Sequence, residues 1–224
     1  LESAEGQAIE MAATLFASST ENQAEKERHH AALQTSLVLT LGHAARRAEQ
    51  KIQQAVAQYA HLSCSAKDFS STALIMLCKK FTFGTLCAAY WVGDGAIAVY
   101  QQDKNVILLG SVDSGEYSGQ TRFLDQAAVS DAALQQRTHF ALVEEMTALI
   151  AMTDGISDAK FETDARLGRY QEWDALWQDL TQQVDLQATD ASTQLLAWLD
   201  FWSQGNHDDR TLALIYPRNE ANNV

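Results

Sequence analysis

Apolar positions follow two different periods along this chain, and the period changes near residue 70 and again near residue 154. Residues 3–19 step by three and four, with Ile9, Ala13 and Phe16 on one face and Ser3 as a cap, which predicts a helix. Residues 20–30 are polar and charged and read as a solvated connection or a helix start. From 31 to 60 the spacing of Leu37, Leu41, Ala44, Ala48, Ile52, Ala55 and Tyr59 predicts a long amphipathic helix. Short apolar runs then take over. Residues 71–78 and 85–91 read as strands, Gly93-Asp94-Gly95 as a tight turn, and 96–100 as the partner strand of a hairpin. Asp103-Lys104-Asn105 turns the chain again into 106–109. Residues 113–136 carry no period and read as a surface loop, and 138–143 and 147–153 are two further strands. Helical spacing returns with Trp173, Leu176, Trp177, Leu180 and Val184, and again with Leu195, Leu196, Leu199 and Trp202, a helix that Gly205-Asn206 is expected to stop. A last strand at 211–216 ends at Pro217, the single proline. Helices, antiparallel strands, helices and a final strand in that order predict an α+β fold, a layered α-β-β-α sandwich of antiparallel sheets flanked by helices.

Composition narrows the function classes. The 224 residues suit one domain, and 46% apolar content supplies a core. A net charge of −13 argues against a nucleic-acid partner, and it would repel a phosphorylated substrate unless a bound cation reversed the local sign. No apolar run approaches the ~20 residues of a membrane span, and no signal peptide is visible. Cys64, Cys78 and Cys87 show no paired or zinc-ligand spacing, and read as free thiols in a reducing, cytoplasmic compartment.

The candidate chemistry is acidic. An apolar run, Leu149 to Met152, ends in Thr153-Asp154-Gly155, with Asp158 one helical turn further on. Asp208-Asp209-Arg210-Thr211 leads into the closing strand, and Asp68 precedes the first one. Carboxylates gathered at strand ends repel one another unless a cation sits among them, and they are hard oxygen donors suited to Mg²⁺ or Mn²⁺. Each Asp taken singly is more often a turn or cap residue. Asp94, inside Gly-Asp-Gly, is read as such a turn residue. His207 and His29-His30 read as solvated, and the tryptophans between 173 and 202 as packing, with an exposed aromatic patch as the lesser reading.

Several blocks resemble the protein phosphatase 2C family, the metal-dependent Ser/Thr protein phosphatases. They are Asp68-Phe69-Ser70-Ser71-Thr72-Ala73-Leu74, Trp91-Val92-Gly93-Asp94-Gly95, Gly115-Glu116-Tyr117 with Thr121 and Phe123-Leu124 (as in a bacterial branch), Thr153-Asp154-Gly155, and Asp208-Asp209-Arg210-Thr211. They stand in family order across about 68 to 216. The resemblance implies a single domain over 1–224 that removes phosphate from phosphoproteins through a metal-activated water. It implies that Asp154, Gly155 and Asp208 hold a pair of Mn²⁺ or Mg²⁺ ions, and that Asp68, Asp154 and Asp158 hold a third, weaker one. Asp209 stands where the family commonly has Asn. The family's first Asp-Gly motif, and an Arg that grips the substrate phosphate, have no counterpart here. Leu1 to Ala8 resembles the segment just after that motif, so the domain is expected to be N-terminally incomplete. The segment from Phe161 to Arg210 is similar to phosphatases encoded with kinase-like partners in bacterial stress clusters, which implies a cognate Ser/Thr kinase. Two other readings remain: a catalytically inactive phosphatase-like module that docks a kinase or other signalling partner, and an aspartyl-phosphate phosphatase. The last wants an Asp-x-Asp pair early in the sheet, and none is present.

Overall fold

A computed structural model describes residues 3–19, 22–110, 121–161, 163–202 and 208–218. In chain order it contains α1 (Ala4–Ser18), α2 (Gln23–Tyr59), β1 (Ala73–Phe81), β2 (Gly84–Val92), β3 (Ala96–Gln101) and β4 (Asn105–Leu108). These are followed by α3 (Asp131–Arg137), β5 (Thr138–Val143), β6 (Ala148–Met152), α4 (Asp154–Phe161), α5 (Tyr170–Gln183), α6 (Ala191–Leu199) and β7 (Leu212–Ile215). The fold is α+β with antiparallel sheets, as the order of patterns implied. Two compact units divide it: Leu1–Asp94 with Leu109–Glu144, and Gly95–Leu108 with Glu145–Val224.

The first unit carries a sheet in the order β1-β2-β5. Its core forms where one face of β2 (Leu86, Ala88, Tyr90, Val92) meets α1, α2 and Leu134 of α3. Ser3 caps α1 as expected, its hydroxyl accepting from the Gly6 N–H at 3.2 Å. Ile9 and Ala13 are fully buried. The polar stretch before residue 31 proves to be the start of α2, with the Asn22 side chain accepting from the Ala24 N–H at 3.1 Å. The buried stripe of α2 runs through Leu33, Leu37, Leu41, Ala45 and Glu49, whereas Ala44 and Ala48 are exposed. Alanine tolerates either side of a helix, so it marks a face poorly.

The second unit carries a sheet in the order β4-β3-β6-β7. Its helical layer is anchored by Trp173, Leu176, Trp177 and Leu180 of α5, all buried. Trp173 donates its indole N–H to the Leu167 carbonyl at 2.7 Å. Of the tryptophans between 173 and 202, expected as packing, only Trp202 is exposed, at 80%.

Two expectations change. The Gly93-Asp94-Gly95 turn is a corner between sheets, not a hairpin: β2 pairs with β1 and β5, and β3 pairs with β4 and β6. Both edges of each strand are already taken, so β2 and β3 have no free edge for one another. The aperiodic region 113–136 contains α3, whose cap is the Ser130 hydroxyl accepting from the Ala133 N–H at 3.3 Å. Gly205-Asn206 lies outside the described residues, and α6 already ends at Leu199. No helix among the described residues is long and apolar enough to cross a membrane.

Candidate functional site

In the second unit, β6 is buried along its whole length and delivers Thr153 and Asp154 to the point where α4 begins. The Thr153 carbonyl accepts from the N–H groups of Ile156 and Ser157 at 3.0 and 3.1 Å, which opens the helix. The same residue ties the corner to the segment entering β7. The Thr153 N–H donates to the Thr211 carbonyl at 3.1 Å, and its hydroxyl accepts from the Thr211 N–H at 2.9 Å and donates to the Asp209 carbonyl at 3.2 Å.

Gly155 explains why this corner reads Asp-Gly. A Cβ at 155 would lie 2.4 Å from the Asp209 carbonyl oxygen and 3.2 Å from that of Asp208. The backbone of Asp208-Asp209 therefore rests directly on Gly155, and two acidic segments far apart in sequence meet there. Each carboxylate also braces its own turn: Asp154 accepts from the Gly155 N–H at 2.9 Å, and Asp208 from the Asp209 N–H at 2.8 Å.

Arg210 clamps the arrangement. Its Nε donates to the Gly155 carbonyl at 3.3 Å, its Nη1 donates to the carbonyls of Leu199 and Phe201, and its guanidinium lies 3.9 Å over the Phe201 ring. Sequence reading named neither Arg210 nor Thr153 as a positioning group, although both flank the acidic residues it did name. The signal for Thr153 was the repeat of a Thr beside each acidic motif, and Arg210 had none.

The remaining candidates are placed differently. Asp158 is exposed on α4, one turn past the half-buried Asp154. Asp68 belongs to the first unit, in a short 3₁₀ turn at 66–69. There Oδ2 accepts from the Ser65 N–H at 2.7 Å and from the Ser65 hydroxyl at 2.9 Å. These hydrogen bonds, the backbone one foremost, hold the Asp68 carboxyl below the usual carboxylate range. Asp94 accepts the Thr121 hydroxyl and so serves the corner, in keeping with a turn role. His207 and the Gly115-Glu116-Tyr117 block lie outside the described residues. The middle of the expected 113–136 loop, Thr121 to Asp125, walls an open cleft of about 490 Å³ in the first unit together with Lys67 and Phe69.

Asp154 and Asp208 have the donor chemistry of a hard divalent cation site. Among the described residues no group of three or more His, Cys, Asp or Glu side chains that could hold a metal occurs.

Fold and corner together define an α+β protein with an acidic Asp-Gly turn locked against an acidic strand entry. The family model for protein phosphatase 2C matches residues 5–200, and the chain belongs to that family. The match covers Asp68, Asp154 and Asp158 and stops short of Asp208. Comparison with curated proteins gives no match.

Proposed function

We propose that this chain is a metal-dependent phosphoprotein phosphatase acting on phospho-Ser or phospho-Thr, with Mn²⁺ or Mg²⁺ as the metal. The observation that carries the reading is the contact of the Asp208-Asp209 backbone with Gly155, which brings Asp154 and Asp208 to one corner. When bound, the metal would supply a water of lowered pKa as nucleophile. On this reading Asp154 and Asp208 are ligands, with the Gly155 carbonyl beside them. Thr153 and Arg210 hold the two segments in register, so that the carboxylates need no reorganisation as charge develops. Asp154 and Asp158, one turn apart on α4, would serve a weaker outer site. The substrate is a phosphoprotein in the cytoplasm, opposed by a cognate Ser/Thr kinase. The charge of −13 weighs against nucleic acid as partner.

One observation favours the second reading, an inactive docking module. The Asp68 carboxylate is engaged by Ser65.

Hydrolysis of a phospho-Thr peptide with added Mn²⁺ separates the two readings, measured on the longest native form that carries this chain. The enzyme predicts turnover that falls about 100-fold or more in Asp154→Asn and in Asp208→Asn, the scale of losing one electrostatic stabiliser. It also predicts a Mn²⁺-dependent rise in melting temperature that both variants lack. A folded chain with no turnover and no Mn²⁺ effect on melting would sink the enzyme reading in favour of the docking module.

A further inference from the structure

Cys78 and Cys87 show no spacing in sequence that would mark a pair, yet the register of β1 against β2 places them directly opposite one another. Opposed residues on antiparallel strands have Cα atoms about 4.5 to 5.5 Å apart, inside the ~4.4–6.8 Å range that a disulfide spans. Both side chains point to the same face of the sheet, since Cα partners share a face. Their surroundings differ. Cys78 is half-buried, with Lys79 and Lys80 following it in β1, whereas Cys87 is fully buried.

We propose that Cys78 and Cys87 form a reversible thiol–disulfide site, with hydrogen peroxide or a related peroxide as oxidant, Cys78 as the attacking thiol and Cys87 as the resolving one. The asymmetry of the pair assigns the roles. Cys78 is the more exposed of the two and is the one a peroxide can reach, while the neighbouring Cys78 and burial push the Cys87 thiol up. In the first step the Cys78 thiolate attacks one peroxide oxygen. An S–O bond forms, the O–O bond breaks, and hydroxide leaves with a proton as water. In the second, the Cys87 sulfur attacks the Cys78 sulfenic sulfur. The S–S bond forms, the S–O bond breaks, and the Cys87 proton leaves with the departing hydroxide as a second water. Two thiols give up two electrons and two protons to one peroxide. A dithiol reverses the change by exchange. In a reducing compartment such a disulfide is transient, which fits a redox-responsive site and not a structural staple. The proposal is independent of the phosphatase reading.

Trypsin provides the test, because Lys51, Lys67, Lys79, Lys80 and Lys104 put the three cysteines on three separate peptides. The folded chain is treated with peroxide, alkylated with N-ethylmaleimide under denaturing conditions and digested. The expected result is a linked pair of the peptides 68–79 and 81–104, with alkylation retained at Cys64 and all three thiols recovered after dithiothreitol. Cys78→Ser is expected to leave Cys87 fully alkylatable after peroxide, and Cys87→Ala to stall Cys78 at the sulfenic stage. The wild-type peptide map stands even if a variant fails to fold. A Cys78 carried to sulfinic acid while Cys87 is still alkylated, full alkylation of all three, or a linkage through Cys64 would each overturn the assignment.

Discussion

At Gly155 a single methyl group decides whether two acidic segments can meet. The atom it would strike, the Asp209 carbonyl oxygen, is backbone, held by the Thr153 hydroxyl at 3.2 Å. It cannot swing aside as a side-chain tip could. Gly155→Ala is therefore expected to cost about 1–3 kcal/mol, the range for overpacking a close contact. It should also displace the Asp208 segment, so that phosphatase turnover falls more than stability alone would explain. Urea unfolding and the phospho-Thr assay on the same sample check this, and a variant with wild-type stability and turnover would contradict it. At this scale the sequence was half legible. An apolar run ending in Thr-Asp-Gly announces a corner. What the glycine makes room for was not legible, because Asp209 is more than fifty residues away and acts there through its carbonyl, which every residue type possesses.

Between elements, Asp179 on α5 joins three helices. Its Oδ2 accepts from Lys160 Nζ of α4 at 2.8 Å and from the indole of Trp198 on α6 at 3.2 Å. Its Oδ1 accepts from the Gln183 amide at 2.9 Å. Desolvation raises the pKa of this carboxyl, but Lys160, Trp198 and Gln183 together outweigh it, so the net shift is downward. A carboxyl whose folded pKa lies below its unfolded value adds stability that is complete above the unfolded value. That stability is lost as pH falls through the folded value. The Asp179 side chain is 40% exposed, so solvent screening keeps the contribution to about 0.5–1 kcal/mol. Asp179→Asn should thus lower stability by about that amount at pH 7 and by almost nothing near pH 2, read from urea titrations at both values. An equal cost at both would assign the effect to packing.

Periodicity served well at this scale where residues were large. The α5 stripe of Trp173, Leu176, Trp177 and Leu180 was read correctly, and so was the β3–β4 hairpin around Asp103. It failed where side chains were small, as at Ala44 and Ala48 of α2, and where an element was short, as with α3. It also failed at Gly93-Asp94-Gly95, since a tight turn signals a change of direction and says nothing about which strand will be the neighbour.

For the molecule as a whole, 29 acidic against 16 basic side chains leave a self-repelling surface. Raising ionic strength from about 0.01 to 0.15 M shortens the screening length from about 30 to 8 Å. The melting temperature should rise over that interval, as scanning calorimetry would record, whereas a fall would show that specific ion pairs such as Lys160–Asp179 dominate. The sequence by itself determined the α+β class, most elements, the acidic residues of the candidate corner and the family, because these rest on local period, residue chemistry and motif order. Tertiary structure alone decided that β2 and β3 enter different sheets, that Asp208 and Asp209 rest on Gly155, and that Cys78 faces Cys87. Each of these depends on strand pairing or backbone contact between distant segments. Such contacts are made by groups common to all residues, so they leave no signature in the order of side chains.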